Sequence, residues 1–452
     1  RPGKGWGRYY HDRLTEVYSQ AVSRGQRVLE IGCGLGDLLA AMEPSRGVGV
    51  DFSPRMVDRA KQKHPELDFY LSDAHELVVG EEKFDTIILS DLLNDVWDVQ
   101  TIFGKIAGLC HPGTRILINS YSRLWEQPLN LAEKLGLAQP VLFQNWLTIA
   151  DIQNLLSLSG FEVIRTWQEI LMPLPIPIVA NIFNRFLAKI WPLNHLALTN
   201  FILARPISAQ RMETASVSII VPARNEEGNI ERIFSSLPAI EGECEVIFIE
   251  GNSRDNTFAE IERCIFAFPQ VRAKLLRQTG TGKGNAVRLG FEHAQGDILM
   301  ILDADLTVPA HYLVRFYQAI RSGKGEFING VRLVYPMEKE AMRFVNFLGN
   351  KFFGLLFTWL IGQPVKDTLC GTKVLWREDY LRIAKNRSVF GDFDPFGDFD
   401  LLFGAARLGL KIVDLPIRYR ERTYGTTNIS RWRHGLLLLR MALIAAIRLK
   451  FI

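Results

Sequence analysis

The sequence is poor in cysteine, in net charge and in uninterrupted apolar runs, and each shortage narrows what the chain can be. Its five cysteines, at 33, 110, 244, 264 and 370, are odd in number, widely spaced and never in a Cys-x-x-Cys pair. That excludes a disulfide framework or a zinc ribbon and favours a reducing compartment. Lys and Arg number 53 against 49 Asp and Glu, a net charge of +4, so the global field of a nucleic-acid binder is missing, no nucleic-acid partner is expected, and any basic patch is local. Mean hydropathy is +0.05. Every strongly apolar stretch is nevertheless broken by charge or proline before the roughly 20 residues a spanning helix needs, which fits contact with a membrane but not crossing it. The chain opens at Arg1 with neither an initiator Met nor a charged-then-apolar leader, and a trimmed anchor stays open. With 452 residues, 48% of them hydrophobic, it has material for about three domains, and a disordered or fibrous chain is excluded.

Apolar runs that end at Gly or Asp and lead into helix-like segments occur twice, over 27–120 and 216–335. This is the pattern of an α/β fold with a helix-covered parallel sheet, here two doubly wound sheet domains. The polar, aperiodic stretch around 206–216 separates them. The boundaries expected are 1–206 for the first domain, 207–215 for a linker, 216–434 for the second domain and 435–452 for an apolar basic helix. Within the first domain, 171–205 carries four prolines and a helical apolar face through Ile178, Ile182, Phe183, Phe186, Leu187 and Ile190. It reads as a cover on that domain, with a helix lying on a membrane as the alternative.

In the first half, Arg27-Val-Leu-Glu-Ile-Gly-Cys-Gly-Leu-Gly-Asp37 is a short strand entering a turn with glycines at 32, 34 and 36. Glycine lets backbone approach a ligand closely and tolerates positive φ. A dinucleotide fingerprint is missed, because the third glycine comes one residue early and Asp37 stands in its place, which disfavours a phosphate-bearing ligand. The next strand ends at Asp51, a carboxylate suited to two ribose hydroxyls; a third is followed by Ser72-Asp73-Ala74 and a fourth, 84–90, by Asp91. In this order the motifs over about 24–120 resemble the class I S-adenosylmethionine-dependent methyltransferases, with a Rossmann-like fold. The resemblance implies that Gly32, Gly34 and Gly36 pass under the methionine part of S-adenosylmethionine, that Glu30 orients the turn, that Asp51 holds the ribose and that Asp73 and Ala74 flank the adenine. Ser90 is counted in the same set. Methyl transfer is an in-line displacement that needs a base only for a hydroxyl acceptor, and His75, Asp91 and Asp95, with Asn94 as a positioner, remain open for that role.

In the second half, Val217-Ser-Ile-Ile-Val-Pro-Ala-Arg-Asn-Glu-Glu227 breaks from a strand into a polar loop, and a second strand ends at Glu250-Gly-Asn252. Gly280-Thr-Gly-Lys-Gly-Asn-Ala-Val-Arg288 is no nucleotide triphosphatase loop, since no Ser or Thr follows Lys283, yet Lys283 and Arg288 suit phosphate. The strand Asp297-Ile-Leu-Met-Ile-Leu-Asp-Ala-Asp305 is expected to deliver Asp303 and Asp305 to one side at its end, where paired carboxylates call for a hard cation, Mg²⁺ or Mn²⁺ on a diphosphate. With Pro222, Arg224, Glu226 and Glu250 upstream, the order resembles the family 2 glycosyltransferases of the GT-A fold. Asp367-Thr-Leu-Cys-Gly-Thr-Lys373, Phe396-Gly-Asp-Phe-Asp-Leu401 and Pro416 to Asn428 narrow it to the dolichol-phosphate mannosyltransferase and polyprenyl-phosphate glycosyltransferase branch, over nearly all of 216–434. The resemblance implies a nucleotide-sugar donor on Pro222, Arg224, Glu226, Glu250, Asn252 and Lys283, metal and diphosphate on Asp303 and Asp305, the acceptor side on Asp398 and Asp400, and acceptor phosphate on Arg422, Arg431 and Arg433. Glu250-Gly251 stands where paired acids are usual and Asn428 where a base is common; Asp392 and Asp394 add acids without a role.

The sequence reading is therefore a bifunctional enzyme. An inverting, metal-dependent glycosyltransferase acts on a lipid phosphate, which needs no general base, or on a glycan hydroxyl, which calls on Asp398 or Asp400. A methyltransferase, or a binding scaffold in its place, precedes it. The apolar segments 352–361 and 435–452, with Arg433, Arg440 and Arg448 in one sector, suit a helix at the headgroup boundary and a peripheral position on the cytoplasmic face of a membrane. Oligomeric state, sugar, nucleotide base and methyl acceptor stay open.

Overall fold

The computed structural model describes residues 6–136, 144–207, 211–212, 214–335, 344–385, 387, 397–424 and 431–451, without the side chains of 6, 344–346, 398 and 431–434. Asp392, Asp394 and Asn428, and the side chains of Asp398, Arg431 and Arg433, thus lie outside the described residues. The chain divides into two compact units, Arg1–Ile207 with Phe451–Ile452, and Ser208–Lys450.

The first unit is built on strands β1 (Arg27–Ile31), β2 (Arg46–Asp51), β3 (Asp68–Leu71), β4 (Phe84–Ser90), β5 (Cys110–Tyr121), β6 (Phe161–Glu169) and β7 (Thr199–Pro206), in spatial order β3-β2-β1-β4-β5-β7-β6. The alternation along each strand feeds two cores. Val28, Ile88, Leu117 and Phe201 face one layer of helices, whereas Leu29, Ile87, Ile116 and Ile202 face the other. Each such fully buried side chain contributes about 1.5–3 kcal/mol. The sheet is mixed rather than wholly parallel, because β7 runs antiparallel between β5 and β6. Register then places Tyr121, Thr199 and Glu169 side by side, so the connection 170–198 emerges at the sheet edge where the β1 and β4 strands end.

That connection differs from the cover expected of it. Ala180, Asn184, Ala188 and Lys189 are buried, while Ile178, Ile182, Phe186 and Ile190 are exposed. Asn184 decides the orientation: its side chain accepts from the Met172 amide and donates to the Met172 carbonyl and the Tyr9 hydroxyl, three bonds that require an inward position.

The second unit carries β8 (Val217–Ala223), β9 (Cys244–Glu250), β10 (Ala273–Arg277), β11 (Ile298–Ile301), β12 (Phe327–Val331), β13 (Lys373–Trp376) and β14 (Ile412–Pro416), ordered β10-β9-β8-β11-β13-β12-β14. Here β13 is the antiparallel member, pairing with β11 and β12. Alternation again sorts residues to two faces, with Ile220, Ile247, Leu299 and Leu375 on one and Ile219, Phe248, Met300 and Val374 on the other. The helices Phe344–Ile361 and Arg431–Ala445 pack on the first of these faces through Phe353, Phe357, Leu438 and Met441. Their other sides expose Leu348, Phe352, Leu355 and Trp359, and Leu436, Leu439 and Leu443. No described helix is long and apolar enough to cross a membrane.

Candidate active sites

In the first unit the turn after β1 is tied to the end of β2. The amides of Gly32 and Cys33 donate to the Val50 carbonyl, and the Gly34 amide donates to Asp51 at 2.9 Å. Gly32, Gly34 and Gly36 take φ of +79, +53 and +76°. A Cβ at Gly34 would meet nothing within 4 Å, whereas one at Gly36 would sit 2.5 Å from the Phe69 ring, so the turn presents an open cradle on one side and packs tightly on the other. Asp51 is buried and also accepts from the Ser53 amide. Glu30 is buried beneath the turn, its Oε2 has no partner, and burial pushes its carboxyl up to about 8. An open glycine cradle beside a ribose-suited carboxylate and an orphaned buried acid fits an S-adenosylmethionine-sized cofactor. Ala74 and the half-buried Ser90 flank the same edge.

The four open candidates for proton transfer separate clearly. His75 is a link: its Nδ1 lies 2.6 Å from Asp73, and its Nε2 accepts from the Asp98 amide. The His75 amide, donating to Asp73 at 2.8 Å, and then the His75 ring hold the Asp73 carboxyl below its usual range. Asn94 locks the chain, donating to the Asn145 carbonyl and accepting from the Tyr121 amide. Asp95 is exposed and accepts from the Gln144 side-chain amide at 3.4 Å. Asp91, half-buried, sits just beyond β4 with a left-handed φ of 54°, and accepts from Tyr10 at 2.8 Å and from Asn119 at 2.5 Å. Asn119 in turn accepts from the buried Tyr18 hydroxyl. Burial, with a further push from the charge of Asp95, raises the Asp91 carboxyl to about 7 against those hydrogen bonds. Tyr121 packs beside Tyr10 and Trp146, with ring centroids 6.0 and 6.4 Å apart. Tyr10, Tyr18, Asn119 and Tyr121 escape sequence reasoning, since none belongs to the glycine-turn motif.

In the second unit β11 ends at Ile301, so Asp303 and Asp305 stand in the turn beyond it, not on the strand as expected. The amide and hydroxyl of Thr307 both donate to Asp305, a local turn that competes with strand geometry. Asp303 pairs with Lys283 at 2.5 Å. Asp305 pairs with Arg422 at 2.7 Å, and Arg422 also reaches Glu226 at 3.4 Å. Arg422, assigned to acceptor phosphate from the sequence, thus pairs with two of the carboxylates that the same reading assigned to the metal and the donor. Burial alone would raise the Asp305 carboxyl; the bonds from Arg422 and Thr307 hold it below its usual range. Gly371 leaves room for this pair, because a Cβ there would lie 2.1 Å from both Asp303 Oδ2 and Lys283 Nζ and the side-chain ends would have to shift.

The other expected donor contacts line the ends of β8 and β9. Pro222 is half-buried in β8, Arg224 is exposed, and Glu226 is buried, receives Asn229 at 2.7 Å and is raised by burial. Glu250 is buried and accepts from the Ser253 amide, and Asn252, at a φ of 55°, donates to the Gln278 carbonyl. Asp400 is not an exposed base on the acceptor side. It is buried between Arg387 at 2.7 Å and Arg288 at 3.8 Å, and a carboxylate held by two guanidiniums is a poor proton acceptor. The close approach of Gly397 to Gly284, where a Cβ would come within 2.6 Å, brings the helix beginning at Asp398 beside the one beginning at Lys283. Among the described residues no group of three or more His, Cys, Asp or Glu side chains could hold a metal. Two partly accessible carboxylates with hard oxygen donors do fit Mg²⁺ or Mn²⁺ whose remaining ligands are diphosphate and water.

Comparison with known proteins divides the chain the same way. Residues 6–166 match the family described as "Methyltransferase domain", and residues 218–381 match "Glycosyl transferase family 2". The "Glycosyltransferase AglJ" of Haloferax volcanii is 29% identical over 222 residues, covering 49% of this chain and 68% of its own. The "Dolichol-phosphate mannosyltransferase" of Pyrococcus furiosus is 28% identical over 223 residues, 47% of this chain and 59% of its own. A solved Haloferax volcanii complex of a methyltransferase activator, Trm112, with its methyltransferase is 21% identical, covers 44% of this chain and 94% of that one, and has a TM-score of 0.34.

Proposed function

The chain joins a methyltransferase domain to a family 2 glycosyltransferase domain, and we propose that both are active, the second transferring a sugar from a nucleotide-sugar to a polyprenyl phosphate. The observation that carries this reading is the cluster of Asp303, Asp305, Glu226, Lys283 and Arg422 at one sheet edge, in a segment similar to relatives named for dolichyl-phosphate transfer. Asp303 and Asp305 would hold Mg²⁺ or Mn²⁺, which supplies positive charge against the departing diphosphate. Lys283 and Arg422, paired with those carboxylates, would face the donor phosphates if the carboxylates held the metal. An acceptor phosphate oxygen attacks the anomeric carbon, the bond to the diphosphate breaks with its electron pair, and the configuration inverts. Because a lipid phosphate is ionised near neutral pH, no general base is called for, consistent with Asp400 being held by Arg387 and Arg288.

In the first unit S-adenosylmethionine would supply an electrophilic methyl group. Gly34 and Asp51 hold and orient it, and Asp91, close to neutrality, takes the proton of a hydroxyl acceptor laid against Tyr10 and Tyr121. The acid-free helices Phe344–Ile361 and Arg431–Ala445, with their exposed leucines and aromatic residues beside Lys351, Arg440 and Arg448, support peripheral attachment to a membrane surface. Five free cysteines support its cytoplasmic face.

The test supplies radiolabelled nucleotide-sugar and Mn²⁺ with either polyprenyl phosphate or an oligosaccharide. Label extracted with the lipid is expected; label confined to the oligosaccharide would move the acceptor to a sugar hydroxyl.

A further inference from the structure

The connection 170–198 of the first unit leaves an apolar surface that the methyltransferase reading does not use. Ile178 and Trp191 are each 75% exposed, and Ile176, Ile182, Phe186 and Ile190 are exposed beside them. A cluster of large apolar side chains of this kind marks an interaction surface. Its position is fixed on three sides by elements of the candidate site. Asn184 donates to the hydroxyl of Tyr9, the neighbour of Tyr10, whose own hydroxyl donates to Asp91. The Ser122 amide, next to Tyr121, donates to the Leu198 carbonyl, and the Trp125 indole donates to the Leu196 carbonyl. The apolar surface therefore belongs to a connection tied to the segments that carry Tyr10 and Tyr121, beside Asp91.

Its chemistry selects the partner. Between Glu169 and Glu213 the sequence has no acidic residue. Lys189 is buried against Glu169 and Arg205 against Glu162, which leaves the exposed His195 and the half-buried Arg185, whose Nε donates to the Phe451 carbonyl beside the Phe186–Phe451 ring contact. Apolar and aromatic side chains on this surface, basic groups and no acid match the boundary of an anionic bilayer, where Trp and Phe sit at headgroup depth and basic groups meet lipid phosphates. Asp91, with the Tyr10 hydroxyl bonded to it and the Tyr121 ring beside Tyr10, suits a neutral hydroxyl group.

We infer that residues 176–196 form a membrane-seated lip of the methyltransferase site, so that its acceptor is a hydroxyl borne by a membrane lipid. This rests on the first unit being a methyltransferase, and the two ideas fail separately: calorimetry with S-adenosylmethionine reports the cofactor site, whereas the lip is read by hydrogen exchange. The full chain is exchanged with and without vesicles of phosphatidylcholine and phosphatidylglycerol at three to one. Peptides spanning 176–196 are expected to exchange several-fold more slowly with vesicles. An Ile178→Ser/Trp191→Ser variant, altered only at exposed positions, is expected to lose that protection while keeping it over 344–361. Protection confined to 344–361 and 431–450 would overturn the inference. So would protection of 176–196 without vesicles that rises with protein concentration, which would assign the surface to a second copy.

Discussion

The two sheet edges solve opposite electrostatic problems. In the first unit two acids meet no cation among the described residues: Asp91 is bound by Tyr10 and Asn119 and rises to about 7, and the buried Glu30 rises to about 8 under the glycine turn. In the second, Asp303, Asp305 and Asp400 each lie against Lys or Arg, and Asp305 falls below its usual range. A carboxyl poised near neutrality can exchange a proton with an uncharged acceptor. Carboxylates kept ionised by cations can exchange those cations for a metal and phosphates. On the proposed reading, the same sheet architecture serves acid–base chemistry at one edge and charge neutralisation at the other.

Removing the charge at the second edge is the strongest way to break this contrast. Asp305→Ala is expected to lower metal-dependent glycosyl transfer about 10³-fold, with S-adenosylmethionine binding by calorimetry unchanged. At the first edge Asp91→Asn retains the hydrogen-bonding shape but not the basicity. It is expected to cut methyl transfer to a hydroxyl by about 10²–10⁴-fold and leave glycosyl transfer intact. A finer probe is Gly371→Ala, whose methyl group must displace the Asp303–Lys283 pair. Glycosyl transfer should fall about 10²-fold in kcat, the scale of a displacement of about 1 Å in a positioned group, and a Tm close to that of the parent would separate this from unfolding.

Glu30→Gln should act on stability, with neither transfer as its direct target. The folded carboxyl near 8 retains a proton that the unfolded one releases above about 4.3, so stability falls as pH rises between them, by at most about 1.4 kcal/mol per unit. Gln, which cannot ionise, should flatten that slope in calorimetric melts of the full chain between pH 5 and 8.

Local motifs made part of this legible in the sequence. The turn at Gly32 to Gly36 and Asp51 are short-range features of strand and turn, and the Gly34 to Asp51 bond joins two motifs already singled out. Asp303, Asp305 and Lys283 were recognisable as residue types. Their partners were not: Arg422 lies 117 residues from Asp305, and only the sheet brings them together. Tyr10 precedes the glycine turn on a helix with no motif of its own, so its bond to Asp91, 81 residues away, had no signal. For 171–205 periodicity gave a common face but not its direction, which Asn184 sets through Met172 and Tyr9. The antiparallel strands β7 and β13 were invisible for a similar reason, since alternation and apolar runs carry no direction.

The most direct test of the contrast is the pH dependence of both transfers in one preparation of the full chain, with a total membrane-lipid extract as acceptor and label from S-adenosylmethionine or from nucleotide-sugar. Between pH 6 and 8.5 methyl incorporation is predicted to rise with a midpoint near 7, as Asp91 loses its proton, while sugar incorporation stays nearly level over the same interval. Methyl incorporation that is level, together with sugar incorporation that rises through 7, would contradict the assignment of base chemistry to the first edge and charge neutralisation to the second.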